Sequence, residues 1–402
     1  MSFKIELHKE LTQVTTRQDT SLGIMRWGLD NSFPQTLKNL IEQSPSAKPA
    51  ASRTAKFYKG AGFEGEDTIV SPYGLTLKQV VSIIADDYSV FEAFAIHCNF
   101  NIKGQVTSMQ PMRIAELRFN EFDELNYASK VGYHEDFGRN SEIKKTVTNT
   151  VTREKIKWID RYNPTAVQAQ ILRASDLPKD KSEIARLTQG VGNYRGQVLY
   201  HSEAGHSSYP IPPLQAPINY VLADVENSVL VRKETVTGFI DTYLLKTMMD
   251  AEDATLVALE NAIDDAQGAR GTGKVITMSG LSEGEIQSTV LEKMGAGDRK
   301  STIESSAVAF ELGQKVINAA YLIPPILAGA DQKTGFSSAD LKEAYFIFNA
   351  TTQTGRDVIE AEINRILKNS IFNVEKIQIK KLKLDEDETQ DDNVIKKPKN
   401  NA

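Results

Sequence analysis

The side chains able to do chemistry are scattered. The histidines are His8, His97, His134, His201 and His206, and none has a second metal ligand at helical spacing. His201 and His206 stand in a polar, Ser-rich stretch with no third ligand, which reads as a pair of surface histidines. The single cysteine, Cys98, excludes an internal disulfide and any cysteine-based zinc cluster, and its apolar setting, FEAFAIHCNF, reads as core. Gly268 to Val275, GARGTGKV, is like a phosphate-cradling GxxxxGK[ST] loop, but Val275 stands where the metal-binding hydroxyl belongs. Its context is also reversed. A nucleotide loop leaves a strand and opens a helix, aiming backbone N–H groups and the helix dipole at phosphate, whereas here the pattern places a helix before and the strand KVITM after. The segment therefore reads as a helix-to-strand turn with Gly268 near the helix C-terminus. The acid pairs Asp86-Asp87 and Asp264-Asp265 fall on expected helices, where a solvated face explains them and no shifted pKa is expected. With no convergent acid, base, nucleophile or ligand set, neither catalysis nor a metal or cofactor is expected.

The elements that would position these residues form a mixed pattern in a chain of 402 residues, 40% hydrophobic and 25% charged, with a formal net charge of -6. That length predicts two or three structural regions. The acidic balance argues against a broad basic DNA-gripping surface, so any DNA contact is expected to be local or loose. No apolar run approaches the ~18 residues of a membrane helix, and MSFKIELHKE lacks a signal peptide's apolar stretch. A cytosol-like compartment is the expectation.

A strand is expected over Phe3 to His8, then a helix capped by Asn31 or Ser32 and entered through Pro34, with Leu37, Leu40 and Ile41 on one face. A second helix starts near Ser46 and stops at Gly60 and Gly62. The third runs from Thr76 to Phe94 with Leu77, Val80, Val81, Ile84 and Tyr88 at helical spacing. Ala95 to Phe119 alternates as two strands joined at Lys103-Gly104. More strand follows in TVTNTVTREKIKWIDRYNP and GQVLYHSE, around a polar helix-like passage, ASDLPKDKSEIARL. A long helix enters through Pro212, Pro213 and Pro217 and leaves at Gly238. Its apolar positions are Ile218, Val221, Leu222, Val225 and Val229, with Asp224 and Glu226 outside. A small insert follows: strand FIDTYLL, helix DATLVALENAIDDA, strand GKVITMSG. After the glycine-rich EKMGAGDRK, a second long helix runs from Lys300 to Ala320 and is broken by Pro324, Pro325, Gly329 and Gly335. One further long helix, capped by Ser337 or Ser338, spans SSADLKEAYFIFNATTQTGRDVIEAEINRILKNS. From about Lys380 the charge blocks LDEDETQDD and KKPKNN read as a solvated tail.

Several phrases, in order, resemble the tailed-phage portal protein family. WGLDNSFPQTLKNLIEQSPSAKPAASRTAKFYKGAGF, Trp27 to Phe63, is similar to that family's opening, although Leu29 separates Gly28 from Asp30. DDYSVFEAFAIHCNFNIKGQVTSMQPMRI, Asp86 to Ile114, resembles its helix, strand, Gly turn and strand unit, with Pro111 at the closing proline. YPIPPLQAPINYVLADVE, Tyr209 to Glu226, resembles its Tyr-Gly-x-Pro helix entry, with Pro210 where glycine is commoner. VINAAYLIPPILAG, Val316 to Gly329, is similar to its Pro-Pro-x-x-x-Gly turn. TGFSSADLKEAYFIF and GRDVIEAEINRIL resemble its last long helix.

The resemblance implies an α+β portal fold: a wing over 1–211, stem helices over 212–238 and 300–322 flanking an αβ clip over 239–299, and a tunnel loop over 323–337. A long wing or crown-side helix with a following strand would fill 338–378, and a charged, disordered tail 379–402, so the crown is reduced or absent. It implies a homo-oligomeric ring of, by family habit, twelve subunits at one capsid vertex, a virion component assembled in the bacterial host cytoplasm. Double-stranded DNA would pass through it during packaging and ejection. Its partners would be the terminase large subunit, the major capsid protein and head-tail connector or adaptor proteins, with no membrane. The implied tunnel-loop residues are Asp331, Gln332, Lys333, Thr334 and Gly335, with Lys333 touching phosphate transiently; the implied terminase- or adaptor-facing clip residues are Tyr243, Lys246, Lys274 and Thr277. Two alternatives stay open: another virion structural or adaptor protein, and a nucleotide-binding enzyme using Gly268 to Val275.

Overall fold

The computed structural model describes residues 16–28, 31–121, 128–137, 151–203, 209–236, 242–246, 274–278, 290–294, 299–329 and 338–383. The expected strand at Phe3 to His8, the insert helix DATLVALENAIDDA and the charged tail beyond 383 lie outside them. Two compact units are present: 1–221 with 315–402, and 222–314. Among the described residues no helix is long and apolar enough to cross a membrane.

The larger unit opens with a hairpin of β1 (Thr16–Asp19) and β2 (Ile24–Trp27), which periodicity did not announce because each strand is four residues long. Next come α1 (Phe33–Gln43) and α2 (Ala47–Lys59), then α3 (Leu77–Phe91). Leu37, Leu40 and Ile41 are buried as their spacing predicts. The expected side-chain cap of α1 does not form. Ser32 occupies the N-cap, and Asn31 instead turns left-handed (φ 67°) and accepts the Trp27 N–H at 3.1 Å. Gly28, at φ +86°, must be glycine, since a Cβ there would lie 2.8 Å from Phe33 Cβ.

Thr76 caps α3 through a reciprocal box: its Oγ1 accepts from the Gln79 N–H at 3.3 Å, and Gln79 Oε1 accepts from the Thr76 N–H at 3.0 Å. The helix ends earlier than its apolar spacing suggested, because Glu92 adopts a left-handed conformation and Ala93 already starts a strand.

That strand, β3 (Ala93–Phe100), pairs with β4 (Val106–Met112) across the expected Lys103-Gly104 turn. With β5 (Leu117–Phe119), β6 (Lys130–Tyr133), β7 (Lys157–Arg161) and β8 (Gln197–Ser202) they form a six-stranded sheet in the order β4-β3-β8-β7-β6-β5. Pairing is antiparallel except for β7 with β8, whose crossover carries α4 (Val167–Arg173) and α5 (Glu183–Asn193). The alternation expected through the β3 strand gives way to an almost continuously buried face-to-face pattern, and Cys98 is fully buried within it; burial pushes its thiol pKa up.

Two long helices follow, α6 (Ile218–Val236) and α7 (Arg299–Ala320). Between them in sequence lie β9 (Thr242–Lys246), β10 (Lys274–Met278) and β11 (Val290–Met294), a three-stranded sheet ordered β10-β9-β11. The strand β11 is an addition to the expected insert: VLEKM runs directly into the glycine-rich stretch. A single turn, α8 (Pro325–Ala328), lies inside the Pro/Gly break.

The last long helix is a correction. It is two helices, α9 (Ser338–Thr351) and α10 (Gln353–Leu367), parted at Thr352. The cause is tertiary. Arg356 is fully buried, and its guanidinium donates to Phe57 O (3.0 Å), Thr352 Oγ1 (3.0 Å), Asn349 O (2.6 Å) and Gln353 Oε1 (3.1 Å). Next to it, Gly355 lets the Tyr58 ring lie against the backbone; a Cβ would stand 2.3 Å from that ring. Downstream, Ile359, Ile363, Ile366 and Leu367 enter the core formed by α3, β3 and β4. The strand expected after this helix is instead an extended segment in which Lys380 exchanges backbone hydrogen bonds with Ala61 and Gly62.

Replacing Arg356 with Met should lower unfolding stability by about 3–5 kcal/mol, because several buried carbonyls and hydroxyls lose their donor together. Arg356→Lys should recover little, since an ammonium cannot span the fork; urea denaturation of the three proteins checks both.

Candidate functional site

Four of the sequence-nominated residues lie on the sheet that falls in sequence between the two long helices, so those helices and their roots come first. The root of α6 is built by the proline-rich entry. Pro212, Leu214, Pro217, Ile218 and Val221 are buried in the larger unit. Tyr209 anchors that entry: its hydroxyl donates to Met25 O at 2.7 Å and accepts the Phe119 N–H at 2.9 Å. Its ring stacks between Trp27, with centroids 4.5 Å apart, and Phe119, at 4.9 Å. Such stacks add about 0.5–1.5 kcal/mol each beyond the area buried. Beside them the buried Arg118 donates to Asn31 Oδ1, to Asn31 O (2.7 Å), and to Ala115 O (2.9 Å) and Leu117 O (2.7 Å).

The root of α7 is Ile317, Tyr321 and Ile323, again buried in the larger unit. The helix stops because Leu322 turns left-handed (φ 53°) and the Ile323 N–H returns to Asn318 O at 3.0 Å. Pro324 then forbids continuation.

Within the smaller unit the two helices touch: Asn227 Nδ2 donates to Ser306 O at 3.0 Å. Their sequences left Asp224 outside, yet it is buried, while Val229, expected on the apolar face, is 37% exposed. Leu230, Val231, Val308 and Leu312 are exposed as well, at 40–65%. On α9, Phe346 is 75% exposed.

The sequence-nominated residues fare unequally. Tyr243, Lys246, Lys274 and Thr277 all fall in the three-stranded sheet, where Tyr243 pairs with Val275 and Lys293, Lys246 with Met278 and Val290, Lys274 with Thr242, and Thr277 with Leu245. One sheet thus gathers all four. Asp331, Gln332, Lys333, Thr334 and Gly335 lie outside the described residues, as do Asp264-Asp265 and most of Gly268 to Val275. Lys274 opens β10, in the ladder beside Thr242. A phosphate-loop lysine would open a helix instead.

Two readings need correction. His201 is not a surface-loop histidine; it sits in β8, stacked on Phe94 with centroids 5.2 Å apart and engaged by carboxylates on both sides. His206 lies outside the described residues. Nor is Asp87 simply solvated like Asp86, whose carboxylate meets Lys59 Nζ at 2.8 Å. Burial raises Asp87 to about 6, with Lys38 and the Ile114 N–H pulling partly the other way. Among the described residues no group of three or more His, Cys, Asp or Glu is placed to hold a metal ion.

No protein-family model matches the sequence, and no curated protein matches it either. Solved structures do. A chain from the neck of an empty GTA particle, computed with C6 symmetry, is similar at a TM-score of 0.52 and 11% identity, covering 88% of this chain and 84% of that one. A chain from the neck of the native GTA particle, computed with C12 symmetry, has a TM-score of 0.45 at 11% identity, covering 94% and 89%. An HK97-family phage portal protein from Corynebacterium diphtheriae has 0.43 at 11% identity, covering 81% and 90%. The chain therefore shares its fold with a chain from the neck of that first, empty GTA particle.

The Asp87 carboxyl binds its proton more tightly folded than unfolded, so it lowers stability as pH rises from its ordinary 3.8 through about 6. Asp87→Asn should consequently be more stable than the parent by roughly 1–3 kcal/mol at pH 7.5, the gap closing towards pH 4. Thermal unfolding of both proteins across that range is the measurement.

Proposed function

We propose that this chain is the portal subunit of a tailed phage or prophage, a structural protein without an active site of its own. One observation carries the reading: a fold shared over 88% of the chain with a particle-neck component. The order helix, small sheet, helix, Pro/Gly break, helix is its local support. In this reading α6 and α7 are the stem, β9 to β11 belong to the clip, residues 323–337 form the tunnel loop, and the six-stranded sheet with its helices is the wing.

Copies would close into a ring, twelve by family habit. A closed ring needs two different complementary faces on each subunit, and the exposed aliphatics of α6 and α7 suit that demand. Burying a side chain such as Leu312 between copies would contribute about 1.5–3 kcal/mol, multiplied around the ring. The ring would sit at one capsid vertex, pass double-stranded DNA inward and later outward, and dock the terminase at the clip before connector proteins take its place. Motor force would come from the terminase.

A conduit must not bind its cargo tightly. Each phosphate neutralised by a fixed cation releases counterions and adds affinity, which would stall movement. A subunit with net charge -6 and few cations in its loop meets that requirement, and Lys333 is the residue we place in transient contact with phosphate.

Electron microscopy of the purified protein should show closed rings with a central channel and a narrower stem; a uniform monomer under all conditions would refute the proposal. Leu230→Asp combined with Leu312→Asp should leave a folded chain, by circular dichroism, that no longer forms rings. Deleting Asp331 to Gly335 should spare ring assembly but impair DNA packaging or retention, and normal packaging would overturn the loop assignment.

A further inference from the structure

Two acidic side chains meet where α3 ends. Ala93 faces Ser202 in the ladder between β3 and β8, and one step further the Glu203 N–H donates to Glu92 O at 3.2 Å. Glu92 and Glu203 are therefore a directly opposed pair of like charges, which destabilises a sheet unless a cation answers it. Glu203 has neighbours of its own: it accepts the Tyr88 hydroxyl at 2.5 Å, and His201 Nε2 lies 3.5 Å from the same oxygen. Glu92 is half-buried, and among the described residues nothing donates to its carboxylate; burial and the facing Glu203 push its pKa up.

A second group is turned to the same place. Tyr321 is only 6% exposed, and its hydroxyl has no hydrogen-bond partner among the described residues. A phenol buried in that way has given up its hydrogen bonds to water for nothing. It lies within electrostatic reach of Tyr58 and Glu92, and Tyr58 and Tyr88 in turn both feel Glu92 and Glu203. The Tyr58 and Tyr88 rings stand beside the acids with centroids 5.2 Å apart. Glu92 (φ 51°) and Leu322 (φ 53°), the residue after Tyr321, both hold left-handed backbone here, which a residue with a large side chain adopts only where its surroundings impose it.

We propose that the end of α3, the end of β8 and the foot of α7 together form a binding site for a guanidinium group. A guanidinium is a planar fork of N–H donors with no acceptor. It matches two carboxylates that can only accept and a phenol oxygen left without a donor. It is weakly hydrated and lies readily against aromatic faces, whereas an ammonium is a compact, strongly hydrated point charge. A bare metal ion fits less well, since among the described residues no group of three or more His, Cys, Asp or Glu is placed to hold one.

Every residue of the site belongs to the larger unit, so the site stands apart from the portal reading. Only the source of the guanidinium touches that reading: a free small molecule, or an arginine of a second copy of this chain. In either case the occupant would join Glu92, Glu203 and Tyr321, and so fix the foot of α7 to the end of α3.

Titration of N-acetylarginine amide into the full chain, followed by calorimetry and by thermal unfolding, tests the site. N-acetyllysine amide should bind about tenfold more weakly. Glu92→Gln should weaken binding of the arginine compound about tenfold, the loss expected for one charge-assisted hydrogen bond. Tyr321→Phe should also weaken it, yet leave the unfolding temperature of the unliganded chain unchanged or higher, because it removes a hydroxyl that has no partner; a lost site is thereby told from a lost fold. Binding by the chain as purified would mark a free guanidinium compound as the ligand. Binding confined to the Leu230→Asp, Leu312→Asp chain, with ring formation weakened in Glu92→Gln, would mark an arginine of a neighbouring copy. No binding by either chain, equal binding by Glu92→Gln, or equal affinity for the two blocked amino acids overturns the proposal.

Discussion

A single buried guanidinium organises much of the larger unit. Arg356 reaches the C-terminal turn of α2 through Phe57 O, the end of α9 through Asn349 O, and the break itself through Thr352 Oγ1. Leaving a cation away from water is costly unless its donors are matched, so these acceptors must stay where they are, and with them the helices that carry them. That requirement turns what periodicity would make one rod into two helices. It also aims α10 into the core beside α3 and β3. Asn349 extends the same arrangement, donating to Leu382 O at 2.8 Å, so the extended C-terminal segment is drawn into it.

Polar side chains recur where the chain must change direction. Tyr209 uses both capacities of its hydroxyl to fix the entry of α6 between β2 and β5, and Arg118 satisfies the loop carbonyls beside it. Both long helices thus begin or end in a packed body while carrying exposed aliphatic side chains further along.

Elements with strong local signals were readable without the fold. The helix at Leu77–Phe91 has both its capping box and an uninterrupted apolar stripe, the Lys103-Gly104 turn separates two strands, and prolines lead into α6 and close α7. The misses have physical reasons as well. The four-residue strands β1 and β2 are too short for a period to show, VLEKM was masked by its glycine-rich neighbour, and Glu92 ends α3 through a backbone conformation that residue type does not announce. Of the candidate site, Tyr243, Lys246, Lys274 and Thr277 could be gathered on one sheet by their place in the sequence between the long helices.

The sequence by itself determined the alternation of helices and strands, the proline and glycine breaks, the absence of an evident catalytic set, and the phrases that resemble portal proteins, because these reside in neighbouring residues. Only the tertiary structure decided that Arg356 splits a helix, that Asp224 is buried while Leu230 is not, that Asp87 is shielded where Asp86 is solvated, and that His201 lies between two carboxylates. Each of those depends on partners between 27 and 299 residues away or on packing against them. Burial, charge and hydrogen-bond matching are properties of the surroundings, and the surroundings exist only once the chain has folded.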